Sequence, residues 1–174
     1  KYDQLRSNLF TNIKSIYSLK YFFLLYVLIA VVLPWIIRPG YLFFVDYVSG
    51  PNLLWADMSQ PSAIISNTLL MLGYVLGNSI VQKLFVTLVI WLVLYSGYRI
   101  GGNAIAIAAL FNPFVYDRLA YGQFYVVLGY ALLLLIIAKF ADDYQKLSFK
   151  MTRQKAVLFG VLYGLSIISS PHYV

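Results

Sequence analysis

The chain has no cysteine, no glutamate and a single histidine, and only 11% of its 174 residues are charged. The missing cysteines exclude disulfides and thiolate metal sites, and they leave the redox compartment open. The missing glutamates put all carboxylate chemistry on six aspartates. A soluble domain carries roughly 25% charged residues, so this chain lacks the charge for an ordinary hydrated surface. What it has instead is apolar: 61% of residues are hydrophobic and the mean hydropathy is +0.78. The net charge of +7 comes without a nucleic-acid recognition motif. Its bases flank apolar spans, where they set topology, so nucleic acid is not an expected partner. The fold class these counts predict is all-α, a polytopic transmembrane helix bundle.

Residues 1–20 carry Lys1, Arg6, Lys14 and Lys20, with Leu5, Leu9, Ile13 and Ile16 recurring at helical spacing. This is a basic amphipathic segment on the cytoplasmic side, either a helix on the membrane surface or a solvated tail. Residues 21–174 form the transmembrane domain, expected to be the N-terminal part of a longer chain. Tyr21 to Ile37 is the first crossing, closed by Trp35 and Arg38 at interface level. A loop follows, punctuated by Pro39-Gly40 and Gly50-Pro51-Asn52, with Asp46 alone among aromatics.

Ala63 to Gln82 is uncharged and, by length alone, could cross. Charge decides against it. If it crosses, 6 Lys/Arg lie inside and 7 outside; if it does not, 10 lie inside and only Arg38, Lys83 and Arg118 outside. The positive-inside rule favours the second arrangement. Its polar residues, among them Asn67, Thr68, Asn78 and Gln82, agree with an interfacial or half-buried outer helix that leads through Lys83 into the next crossing.

That second crossing runs from about Leu84 to Tyr98, its helix starting a turn earlier in Val81-Gln82, and Gly101-Gly102-Asn103 makes the inner turn. Ala104, Ala106, Ala108 and Ala109 give the third crossing a small-residue surface that lets neighbours approach closely, which places it in the middle of the bundle. Tyr121 to Ala138 is the fourth crossing, Lys139 to Lys155 an inner basic loop, and Ala156 to Ser170 the fifth. The expected topology is about five crossings plus one outer interfacial helix, in a multi-pass cell-membrane protein with its N-terminus cytoplasmic.

The stretch from Asn112 to Gln123 interrupts this pattern. Asp117 and Arg118 are the only charges in the 39 residues from Ile100 to Ala138. Pro113 donates no backbone hydrogen bond and disfavours the α region at Asn112, so a helix arriving from Gly101 should end or break there. The freed backbone groups need partners, which places the stretch at the outer interface or along a wet, protein-walled cavity. In this topology Asp46, Asp57, Asp117, Arg118, Gln123 and His172 all face outward, a candidate site drawn from separate loops.

Each of these residues also has a plainer reading. Asp46 can pair with Arg38. Asp57 suits the N-cap of the following helix. Arg118 either forks onto a phosphate or anchors a helix end at the headgroups. Gly122-Gln123 opens the fourth helix, whose first N–H groups suit an anion. His172 either moves a proton or is simply tolerated at the interface.

A first span, an outer loop with an isolated Asp, an interfacial helix before the second span and the outer motif Asn112-Pro113-Phe114-x3-Arg118-x3-Gly122-Gln123 together resemble the N-terminal portion of the GT-C membrane glycosyltransferases. The resemblance implies an enzyme that takes a sugar from a polyprenyl-phosphate carrier and transfers it to an acceptor on the outer face. It makes Asp46 the acidic residue of the first loop, a general base or metal ligand, and sets Arg118 on the face where the lipid phosphate must be held. Asp117, Gln123, His172 and Arg38 complete the expected substrate-binding set. The loop has no Asp-x-Asp and the chain no Glu, so a divalent metal stays open, with Asp46 and Asp57 as its candidates. The implied partners are membrane lipid, the lipid-linked sugar donor and the rest of a longer chain. The other reading is a multi-pass transporter or a membrane assembly protein, with Asn112-Pro113 as the break in a discontinuous helix.

Overall fold

Apolar runs of this length, without the alternation that a half-buried strand needs, fold as helices. The computed structural model describes residues 22–42, 55–59, 62–145 and 152–169, and these contain helices and no strand. In chain order they are α1 (Phe22–Ile37), α2 (Ala63–Leu76), α3 (Asn78–Leu110), α4 (Pro113–Tyr121), α5 (Phe124–Gln145) and α6 (Arg153–Ser169). Two stretches, Asn78–Leu110 and Phe124–Asp142, are long and apolar enough to cross a membrane, while α1 and α2 are shorter apolar helices. Of the roughly five crossings expected, two therefore meet that length and composition among the described residues.

Helix α3 is not straight. Its backbone leaves the helical region at Gly101 and Gly102, and Gly102 has φ +75°, which a side chain would strain. A Cβ placed on Gly97 would lie 2.9 Å from Ala106 Cα and 3.0 Å from Ala109 Cβ. In a straight helix, residues nine positions apart are separated by about 13 Å. The chain therefore doubles back at Gly101-Gly102, and residues 103–110 pack against the end of residues 78–100. This is the turn the sequence places at Gly101-Gly102-Asn103. The alanines of the returning arm meet Gly97, the one position among residues 78–100 that has no side chain.

Side-chain contacts fix the direction of each helix. Phe85 meets Tyr125 with ring centroids 5.5 Å apart, Ser96 Oγ donates to the carbonyl of Ala131 at 3.2 Å, and Arg99 pairs with Asp142. The first arm of α3 and α5 thus run parallel. Helix α1 runs opposite to them: Leu24, Leu28 and Val32, on one face, join the α3 core of Val86, Val89, Ile90 and Val93, and Lys83 Nζ reaches the carbonyl of Arg38 at 2.6 Å. Helix α6 starts where α5 ends, with Phe140 stacked on Phe159 at 4.3 Å, and returns antiparallel.

The chain between Gly102 and Phe124 must climb back as α5's antiparallel neighbour, and it does so in two pieces. Residues 103–110 form the lower piece and α4 the upper, with the break at Phe111-Asn112. Two corrections follow. The helix breaks at Asn112-Pro113 as expected, but the residues after the break are not a loop: they continue as helix to Tyr121, and the turn into α5 is only Gly122-Gln123. Pro113 stands at the first position of α4 with Asn112 as its N-cap, so the Pro that ends one helix begins the next. The second correction concerns Ala63 to Gln82. This is not one helix: α2 ends at Leu76, Gly77 turns the chain with φ +92°, and α3 begins at Asn78, about one turn before the expected helix start at Val81-Gln82. Helix α2 packs on α3 through Ala63, Asn67, Leu70 and Gly73.

The bundle has two ends. Arg38, Lys83, Asp117 and Arg118 lie at one, and Arg99, Lys139, Asp142, Arg153 and Lys155 at the other. Between them the outward faces are apolar, with Ile29, Met71, Leu88 and Val161 all exposed, while Gln82, Ser96 and Ser169 are buried.

Candidate functional site

The upper end is assembled by side chains that bind backbone. Gln82, 2% exposed, takes the peptide of Leu42 on both sides: its Oε1 accepts from Leu42 N at 2.8 Å and its Nε2 donates to Leu42 O at 2.5 Å. One turn earlier Ser79 Oγ donates to the carbonyl of Gly40 at 2.5 Å. Lys83 donates to the carbonyls of Arg38 and Ile36 at the C-terminal end of α1, where a cation also suits the helix dipole. Three residues in the first turns of α3 thus hold residues 38–42, the root of the loop that carries Asp46. Sequence reading marked Gln82 as a polar residue in an apolar run, but not as the clamp of that root.

Asn67 does the same for residues 55–59. Its Oδ1 accepts from Ala56 N at 2.8 Å and its Nδ2 donates to Ala56 O at 3.2 Å. Asp57, read as a helix N-cap, is not one: the N-cap of α2 is Ser62, with no side-chain bond. Asp57 Oδ1 instead accepts from the backbone N–H of Ser59 at 3.0 Å, closing a local turn. The backbone and then the side chain of Ser59 hold the Asp57 carboxyl below the usual carboxylate range.

Arg118 sits in the last turn of α4. Its Nη1 donates to Gln123 Oε1 at 2.5 Å, and the guanidinium carbon lies 5.6 Å from the ring centroid of Phe114, one turn back. Its Nε is buried with no hydrogen-bond partner, and no described carboxylate pairs with it. Asp117 points away and is exposed, as adjacent helical positions require. Arg118 and Gln123, singled out separately from sequence, are brought together, and Phe114 is an addition to them.

Asn112 holds the break below. Its Oδ1 accepts from Val115 N at 3.0 Å, and its Nδ2 donates to the carbonyl of Ala109 at 2.6 Å and to Tyr130 Oη at 3.3 Å. One side chain therefore satisfies the end of one helical piece and the start of the next, and ties both to α5. Phe114 packs on the same Tyr130, with centroids 5.6 Å apart.

Arg38 is exposed, and its backbone carbonyl, rather than its side chain, makes the contact with α3. Asp46 and His172 lie outside the described residues, as do the first segment (residues 1–20) and the Arg38–Asp46 pairing. Among the described residues no three His, Cys, Asp or Glu side chains gather where a metal could be held. Among the described residues the arrangement supplies, in Arg118, a guanidinium without a carboxylate partner that is propped from two sides by Gln123 and Phe114. Comparison with family models, with curated proteins and with solved structures finds no match.

Proposed function

We propose that the bundle spans a membrane with the Arg118 end outward, and that it serves a transferase moving a sugar from a polyprenyl-phosphate-linked donor to an acceptor at the outer face. The apolar outward faces of the helices support the first part, because lipid is the solvent that tolerates them. The partition of bases supports the orientation, since a richer set lies at the Arg99 end.

The observation that carries the transferase reading is Arg118. A guanidinium with no carboxylate partner among the described residues, held by Gln123 and Phe114 at a helix end, suits a phosphate in a forked geometry. When the glycosidic bond to the phosphate breaks, negative charge grows on the departing phosphate, and a fixed cation there stabilises it. The acceptor hydroxyl needs a carboxylate base within hydrogen-bond reach, and Asp46 is the residue for it. Residues 38–42, which precede it in sequence, are anchored by Gln82 at that same end.

One observation favours the transporter reading: the break at Phe111-Asn112 divides the return between Gly102 and Gly122 nearly in half, as in a discontinuous helix. Such breaks bind substrate through free helix ends. Here Asn112 already occupies both ends, so the break is sealed by the protein's own side chain, and the transferase reading is preferred. The test is transfer of labelled sugar from polyprenyl-phosphate donors in membranes that contain the full protein, with Asp46→Asn beside the wild type. Transfer that depends on the protein and is lost in Asp46→Asn is expected. Transfer retained in Asp46→Asn removes Asp46 as the base.

A further inference from the structure

The opposite end of the bundle holds a second polar site that the transferase chemistry does not use. Where α3 doubles back, Tyr98, Arg99, Gly102 and Asn103 line a cavity of about 310 Å³. That is near the lower limit for small-molecule sites, roughly 300 Å³, and it suits a headgroup rather than a nucleotide. Arg99 brings the charge. Its Nη1 donates to Tyr95 Oη at 2.9 Å and its Nη2 to Asp142, which leaves donors of its five-donor fork for an anion. Asn103 brings an opposite demand: its Oδ1 is buried and has no hydrogen-bond partner. The occupant that completes this set carries an anion for Arg99 and a donor for Asn103.

The surroundings say where such a molecule comes from. Trp91 and Tyr95 stack with ring centroids 5.1 Å apart and planes 11° off parallel, and Trp91 is 43% exposed. Trp91, Tyr95 and Arg99 follow one another at four-residue steps down one face of α3. Aromatic rings followed by an arginine on an outward face are the marks of a membrane interface, and Lys139, Arg153 and Lys155 lie at the same end.

We propose that this cavity binds the phosphodiester headgroup of a membrane lipid that also carries a hydroxyl or ammonium donor, with the phosphate against Arg99 and the donor against Asn103. The ion pair with Asp142 fixes the guanidinium, so Asp142 acts as a positioning residue. The site rests on the membrane placement proposed above and not on the sugar transfer, so a failed transfer assay leaves it standing and the reverse also holds.

The test is thermal unfolding of the full protein in detergent, titrated with phosphatidylethanolamine, phosphatidylglycerol and phosphatidylcholine of matched acyl chains, and separately with glycerol 3-phosphate. The first two lipids should raise the midpoint and phosphatidylcholine, whose headgroup has no donor, should not. Asn103→Leu should weaken binding of the first two about tenfold, the worth of one lost hydrogen bond to a charged or polar partner. Arg99→Gln/Asp142→Asn, which removes both charges together, should weaken it as well and carries the test if Asn103→Leu does not fold. Equal stabilisation by phosphatidylcholine, or undiminished discrimination in the variants, overturns the proposal. A rise produced equally by glycerol 3-phosphate overturns the lipid assignment in favour of a soluble phosphate ester.

Discussion

Replacement of Asn112 by alanine is expected to destabilise the bundle by about 3 kcal/mol, with no loss of apolar packing to account for it. The sum has two parts. Loss of an N-cap at Val115 costs about 1 kcal/mol, and a carbonyl at Ala109 stranded between packed helices costs a further 1–3 kcal/mol or so. Both groups belong to buried residues, Ala109 and Val115, so water replaces the lost partner poorly. Asn112→Asp separates the parts: a carboxylate still caps Val115 but faces the carbonyl of Ala109 and cannot donate to it. Denaturant or thermal unfolding of the three proteins should rank them wild type, then Asp, then Ala or level with it. If Asn112→Ala unfolds like wild type, the side chain is not what closes the break.

Arg118→Lys should abolish sugar transfer nearly as fully as Arg118→Gln, a loss of about 10² to 10³ in kcat, typical of removing one donor to developing oxyanion charge. Lysine keeps the positive charge in the last turn of α4 and so still complements the helix dipole and the headgroups. It loses the fork held by Gln123 and the flat contact with Phe114. A residue that only anchors the helix end would tolerate lysine. Steady-state transfer rates, measured with thermal midpoints to show that both variants are folded, decide between phosphate binding and anchoring.

The helices were legible because their signal is local. Uninterrupted apolar runs bounded by Gly, Pro or basic residues become helices wherever they pack, and Gly101-Gly102 announces a reversal whatever lies beside it. The small residues at Ala106 and Ala109 mark a close-packing surface in the sequence and form one in the fold, but Gly97, the partner that makes room for them, is one glycine among 11 and carries no mark of its own.

Asn112-Pro113 reads as an end or a break because Pro disfavours helix at the residue before it, and the two charges that follow read as a loop. The same pair is an N-cap and a first helical residue, and local sequence does not say which use prevails; the antiparallel fit to α5 does. The polar residues Asn67 and Gln82 were visible as exceptions to the apolar pattern. Their partners, the peptides of Ala56 and Leu42, lie 11 and 40 residues away, and the backbone leaves no sequence signature for them to be matched with. Asp57 was assigned a cap by type, and it does bind backbone N–H, but in its own turn. Within the candidate site, Arg118 and Gln123 were found by their rarity in an apolar chain, while Phe114 and Tyr130 were hidden because aromatics are common throughout it.

The central claim is that the Arg118 and Arg99 ends lie on opposite sides of a membrane, with Arg118 outside. The absence of cysteine gives a clean background for testing it. Single cysteines at Ala120, exposed beside Arg118, and at Gln154, exposed at the start of α6, would be treated in intact cells with a membrane-impermeant thiol reagent and again after lysis. Labelling of Ala120→Cys in intact cells, with Gln154→Cys labelled only after lysis, is the predicted result. Labelling of Gln154→Cys in intact cells, or identical behaviour of the two positions, would contradict it.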